Sequence, residues 1–221
     1  MTRLTTTDMH TEPVTDRIST PPAVREKATP PPRRWASSGK TRAAILAAAR
    51  ELFIEVGYDQ TSIEDIVARS GVSVGSIYHH IGGKAAVFRE VTAEGLAEQS
   101  EASRAAIAAA RRDGETDTFQ LYLAGAYAYM MSGWKNREFT RVLLGNDRPP
   151  GLDELDSALG ARMTSGARNL VIGDPPTPDA SGAAVLALLR AGSEQLVTVT
   201  SEQTAQAIAQ YFIGLIEKLA S

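Results

Sequence analysis

The sequence contains no cysteine. That excludes disulfide staples, thiolate zinc sites, iron–sulfur clusters and cysteine nucleophiles, and it suits a reducing compartment, so a cytoplasmic location is expected. Histidine is scarce: His79 and His80 are adjacent and His10 sits apart in a Pro/Thr-rich stretch. Neither arrangement has the spacing of a metal site, and no metal and no cofactor are expected. Wholly apolar runs extend only a few residues, short of the roughly 20 that a membrane helix needs. Residues 1–20 lack the apolar core of a signal peptide. Paired carboxylates and a nucleophile–base set are also missing. The glycine-rich pieces at 71–75 and 82–83 follow helical stretches rather than strands, so they are not phosphate loops. A helical enzyme is therefore the weakest reading, and no enzyme is expected.

What is present is an ordinary globular composition: 221 residues, 43% apolar and 22% charged, enough for one or two domains. The net charge of −3 is spread unevenly. Residues 1–37 carry 6 basic and 4 acidic side chains, residues 38–88 carry 5 and 5, and residues 89–221 carry 12 and 17. Between 27 and 50 lie Lys27, Arg33, Arg34, Lys40, Arg42 and Arg50 with no acid among them. A run of one sign is either a phosphate-binding arm or a solvated tail, and composition does not choose. A pI near 5.7 is low for a dedicated DNA-binding domain.

Residues 1–37 hold 6 of the 11 prolines, including Pro30-Pro31-Pro32. Such a stretch buries too little apolar surface to order itself and is expected to be disordered. Beyond it Ala, Leu, Glu, Gln and Arg dominate, and no stretch alternates with period two long enough for a strand, so the fold class is all-α. A first helix is expected at 38–56, with Ile45, Leu46, Ala49, Leu52, Phe53 and Val56 on one buried stripe. Gly57 ends it. Thr61-Ser62-Ile63-Glu64 reads as a capping box pairing Thr61 with Glu64. It opens a second helix whose Ile63, Ile66 and Val67 face inward and which Gly71 stops. Ser73 can N-cap a third, short helix to about Ile81. Gly82-Gly83 breaks it, and a long helix runs from Lys84 towards Arg112. Two short helices around a glycine turn, braced by a third, describe a helix-turn-helix.

Residues 41–88, TRAAILAAARELFIEVGYDQTSIEDIVARSGVSVGSIYHHIGGKAAVF, resemble the N-terminal domain of the TetR family of transcriptional regulators. The matching positions share one register: Ile45-Leu46, Ala48-Ala49, Leu52-Phe53, Gly57-Tyr58, Thr61, Ile63, Ile66, Gly71-Val72-Ser73, Gly75, Ile77-Tyr78, His80 and Lys84. Ile81 stands where phenylalanine is usual and Val67 where alanine is common. The resemblance implies an arm at 1–37, a three-helix DNA-binding domain at 38–88, and a helical ligand-binding and dimerisation domain at 89–221. It implies groove contacts at Val74, Gly75, Ser76 and His79, and phosphate contacts at Thr61, Ser73, Tyr78, His80 and Lys84.

The residues add physical reasons. Ser73, Gly75 and Ser76 are small enough to let a helix end enter a major groove about 12 Å wide. Lys84 opens a helix where its charge opposes the dipole, which is easier to explain if the ammonium faces phosphate. For Tyr78 and His80 two uses stay open, capping a small core or facing the DNA backbone. Val74 and Gly75 offer no side-chain hydrogen bond, so direct readout leans on Ser76, His79 and Arg42, together with DNA shape. Trimming residues 1–37 is expected to weaken DNA binding and flatten its salt dependence.

Further helices are expected at 117–132, 137–144, 152–171, 179–199 and 202–220, with breaks at Pro149-Pro150-Gly151 and Gly173-Asp174-Pro175-Pro176. Phe119, Tyr122, Tyr127, Met130, Trp134 and Phe139 are either ordinary core or, by the family reading, the lining of a cavity for an unknown small-molecule effector. Arg137, Arg141 and Arg148 either pair an acidic ligand or lie on a solvated face. The last two helices are apolar over more than one face, which calls for burial on more than one side. A homodimer through Leu189, Leu196, Ile208, Phe212 and Ile216 meets that need. By the resemblance the chain is then a ligand-responsive regulator, most often a repressor, on double-stranded DNA with a palindromic operator. The alternative is a ligand-independent DNA-binding or architectural protein.

Overall fold

In a computed structural model, which describes residues 33–150 and 178–220, the chain is built from helices, with no strand among the described residues. In order they are α1 (Arg33–Gln60), α2 (Ile63–Ser70), α3 (Val74–His80), α4 (Lys84–Arg112), α5 (Thr118–Lys135), α6 (Arg137–Leu144), α7 (Pro178–Leu196) and α8 (Glu202–Ala220). Residues 1–32 of the expected arm and the helix expected at 152–171 lie outside the described residues. Residues 33–37, assigned to the arm on composition, instead form the start of α1. Tryptophan, alanine and serine carry no bar to helix, and the last proline precedes them.

The first core gathers Ile45, Leu46, Ala49, Leu52 and Phe53 of α1, Ile66 of α2, Ile77 of α3 and Val87, Phe88 and Val91 of α4. Phe53, Tyr58 and Phe88 form an aromatic trio with ring centroids 5.0–6.0 Å apart. Truncating a fully buried Phe88 would cost about 3–5 kcal/mol through lost transfer energy plus the void left behind. Val56, expected on the buried stripe, is 49% exposed. It sits immediately before Gly57, where the backbone leaves helical φ/ψ, and beyond that break Tyr58 rather than Val56 enters the core.

The second core joins Leu123, Ala126, Met130, Met131 and Trp134 of α5 to Val185, Leu189 and Leu196 of α7 and Ala205, Ala209 and Ile216 of α8. The 29-residue α4 serves both. Its N-terminal turns fill the first core, while farther along Ser103 and Ile107 lie against Gly125 of α5, where a Cβ would meet them at 2.8 Å. A Cβ at this position would have to push the Ser103 and Ile107 side chains aside, so glycine suits the close approach.

Candidate nucleic-acid interface

The candidate helix-turn-helix is α2, a glycine turn and α3. Ser62 is the N-cap of α2. Its Oγ accepts from the Asp65 backbone N–H at 3.0 Å, and the Asp65 carboxylate accepts from the Ser62 backbone N–H at 2.8 Å. The capping box therefore uses Ser62 and Asp65, one residue later than the expected Thr61 and Glu64. The reason is that Thr61 is pulled inward: it is 2% exposed and its hydroxyl donates to the Gly57 carbonyl at 2.7 Å. The Ser62 hydroxyl, and then its backbone N–H, hold the Asp65 carboxyl below its ordinary pKa. The turn follows from Gly71, whose φ of 69° closes α2 in the left-handed region while its N–H bonds Val67 O. Ser73 then caps α3 by accepting from the Ser76 N–H, as its sequence position predicts.

α3 buries one side and presents the other. Ile77 is wholly buried, whereas Ser73, Val74, Gly75, Tyr78 and His79 are exposed and Ser76 and His80 are half-buried. The two imidazoles pack edge to face with centroids 5.0 Å apart. Tyr78, for which core packing was open, is 58% exposed. Seven of the ten residues expected at DNA thus share this surface. The other three are engaged elsewhere. Thr61 is buried, so its side chain cannot reach a phosphate. Lys84 turns back on its own domain, with Nζ donating to Tyr58 O at 2.8 Å and lying 4.2 Å from the Tyr58 ring centroid. Its place at a helix N-terminus is thereby explained without DNA, because the ammonium serves the carbonyls at the end of α1. Arg42 pairs Glu90 at 2.6 Å and approaches Glu94 at 3.9 Å, which ties α1 to α4.

Other polar ties brace these helices. Arg69 of α2 forks onto Glu55 of α1 through two 2.7 Å bonds, and that hydrogen bond lowers the Glu55 pKa. Arg50 donates to Glu98 at 3.2 Å and to Asn136 at 3.3 Å, and its guanidinium lies 4.7 Å from the Phe139 ring centroid. Asp147, beyond α6, accepts from the Asp59 N–H at 3.0 Å. None of these was predicted. Glu55 and Arg69, fourteen apart on different helices, leave no local signal, and Asp147 acts across 88 positions of sequence. Among the described residues no group of three or more His, Asp or Glu could hold a metal ion, and no helix is long and apolar enough to cross a membrane.

The residues proposed to line an effector cavity divide. Met130 and Trp134 are buried in the second core, and the indole N–H of Trp134 donates to Val199 O at 3.0 Å. Phe119, Tyr122 and Tyr127 are half-buried against it. Burial pushes the Tyr122 phenol up from 10.0 to about 12. Phe139 belongs to the other core, against Gly95 of α4, so it cannot line a cavity centred on α5, α7 and α8. It borders instead a hollow of about 210 Å³ lined by Arg50, Ile54 and residues 135–139. Arg141 donates to Val197 O.

The residues proposed for the dimer interface divide too. Leu189, Leu196 and Ile216 are at most 2% exposed within one chain, so they are protomer core and not interface. Ile208 and Phe212 are half-buried against the same core. The sequence showed that α7 and α8 needed cover on several sides, and α5 supplies part of it. Tyr211 and Leu219 on α8 remain 63% and 48% exposed.

Three helices with an outward-facing third, followed by a long helix that reaches into a second core, form a helix-turn-helix arrangement. Residues 45–91 match the model of the bacterial regulatory proteins of the tetR family, so the likeness to that family rests on this segment of the chain. It is 35% identical over 69 residues to the transcriptional repressor BepR of Brucella suis, covering 31% of this chain and 33% of that one. It is 42% identical over 76 residues to a transcriptional repressor of Mycobacterium tuberculosis, covering 34% and 33%. The chain thus aligns with about a third of the length of these relatives. Among solved structures it resembles NalD of Pseudomonas aeruginosa, the secondary repressor of the MexAB-OprM multidrug efflux pump, with a TM-score of 0.61 at 22% identity over 82% of this chain and 96% of that one. It also resembles the TetR-family regulator PfmR of Thermus thermophilus, with a TM-score of 0.59 at 23% identity over 79% and 94%. At these identities the likeness is one of fold.

Proposed function

We propose that the chain is a sequence-specific DNA-binding transcriptional regulator, in the first instance a repressor, and not an enzyme. It acts as a homodimer on a palindromic operator and leaves the operator when a small molecule binds the second domain. The observation that carries this reading is the two-sided α3: Ile77 wholly buried, with Val74, Gly75, Tyr78 and His79 turned to solvent. A helix so anchored and so exposed fits a major groove, and a two-fold pair of them fits half-sites a helical turn or more apart. Release requires that the effector prefer the conformation that does not bind DNA, and the preference sets how far release goes.

A second reading, a ligand-independent regulator, is favoured by the engagement of Met130, Trp134 and Phe139 in packing. Both readings predict that purified full-length protein enriches an inverted repeat from random duplex DNA at moderate salt. Failure to enrich any sequence would overturn both. A complex that persists against every compound able to raise the protein's melting temperature selects the second.

A further inference from the structure

The exposed large hydrophobic side chains of the described residues are Val56, Val74, Tyr78, Tyr211 and Leu219. Val74 and Tyr78 stand one turn apart on α3, at 42% and 58% exposure. Of the side chains expected to read bases, Arg42 is held by Glu90 and Glu94 and Ser76 by Ser73, while His79 stays exposed against the His80 ring. The Ser73 hydroxyl caps the helix, and Ser76 Oγ lies 3.0 Å from Ser73 Oγ, so each serine spends hydrogen-bonding capacity on the other. Gly75 has open space where a Cβ would be, so nothing beside Val74 holds a partner away.

Hydrogen-bonded readout of guanine or adenine uses the forked ends of Arg, Lys, Asn or Gln. α3, with the sequence VGSIYHH, carries none of these. Its projecting branched methyl pair can gain free energy only from an apolar group. The major-groove edges of the bases offer one such group, the C5-methyl of thymine, which 5-methylcytosine also carries.

Resting on the DNA-binding reading above, we propose that Val74 reads a pyrimidine C5-methyl group, with thymine as the ordinary base, once in each operator half-site. Specificity at that base pair comes from burying methyl against methyl and not from a hydrogen bond.

The test uses full-length protein and the operator recovered from random DNA. Each thymine is replaced singly by deoxyuracil, which deletes only the methyl. One position per half-site is expected to weaken binding about fourfold, the worth of one buried methyl. At the same position a 5-methylcytosine pair should bind more tightly than an unmethylated cytosine pair by a similar factor. Val74→Ala should still bind the operator but lose both differences, and Val74→Thr, which keeps one methyl, should retain part of each. The proposal is overturned if no thymine responds to loss of its methyl, or if the penalty is undiminished in Val74→Ala. The wild-type measurements decide the first point whether or not a variant folds. Operator binding with no methyl effect sinks this inference alone, whereas failure to recover any operator sinks the functional reading beneath it.

Discussion

Gly57 answers two demands at one residue. Its φ of 85° and ψ of 173° lie in a region that is essentially glycine's own, and a Cβ there would collide with the Asp147 carboxylate. Gly57→Ala is expected to destabilise by about 1–3 kcal/mol, read as a lowered urea midpoint. Asp147→Ala should cost less, about 1 kcal/mol, since it removes one hydrogen bond at an exposed site. Tyr122 makes a second prediction. Burial raises its pKa from 10.0 to about 12 in the folded protein, so the unfolded chain releases that proton first as pH rises. Its contribution to stability is complete below about pH 10 and is lost as pH climbs through about 12. Tyr122→Phe should make the fall of melting temperature across that window shallower, though not flat. Tyr58 is raised as well, by burial and then by Asp59. An unchanged slope would show that Tyr122 titrates as a free phenol.

At the scale of the element, the start of α2 shows what a local pattern can and cannot decide. The string from Thr61 to Asp65 contains two overlapping capping boxes, Thr61 with Glu64 and Ser62 with Asp65. Which one forms depends on whether the threonine is drawn into the core, and burial of Thr61 against the Gly57 carbonyl selects the second. Ser62→Ala is therefore expected to lower stability by about 1 kcal/mol in thermal or urea unfolding. Glu64→Ala should stay within about 0.5 kcal/mol of the parent. The reverse order would return the cap to Thr61. Most helix limits were legible because glycine, proline and capping residues punctuate them: α6 and α8 match their expected spans, and Gly71 and Ser73 act as predicted. The start of α1 was not legible, because composition cannot distinguish a basic tail from a basic first turn.

At the scale of the whole molecule, the question is how α7 and α8 are covered. Their inner faces pack on α5, and Tyr211 and Leu219 of α8 stay outside. If the homodimer forms through this outer face, Tyr211→Glu combined with Leu219→Glu should convert the protein to a monomer by sedimentation with little loss of helix signal. Such a monomer should bind a half-site but lose the cooperative gain of the full operator. A dimer that persists through both changes places the interface elsewhere. α1 and the α6 region also meet directly, through Arg50 with Asn136 and through Asp147 with Asp59, and Phe139 of α6 completes the first core.

Periodicity, caps and breakers are local properties, and they alone marked the described residues as helical, framed the turn at Gly71 and brought Val74, Gly75, Tyr78 and His79 onto one short helix. The fates of Thr61, Lys84, Arg42 and Phe139, and of Leu189, Leu196 and Ile216, waited on the packed molecule. Each depends on partners far along the chain or on another helix. A hydroxyl, an ammonium or an apolar side chain goes to whichever neighbour the fold brings within reach, and no one-dimensional spacing records that neighbour.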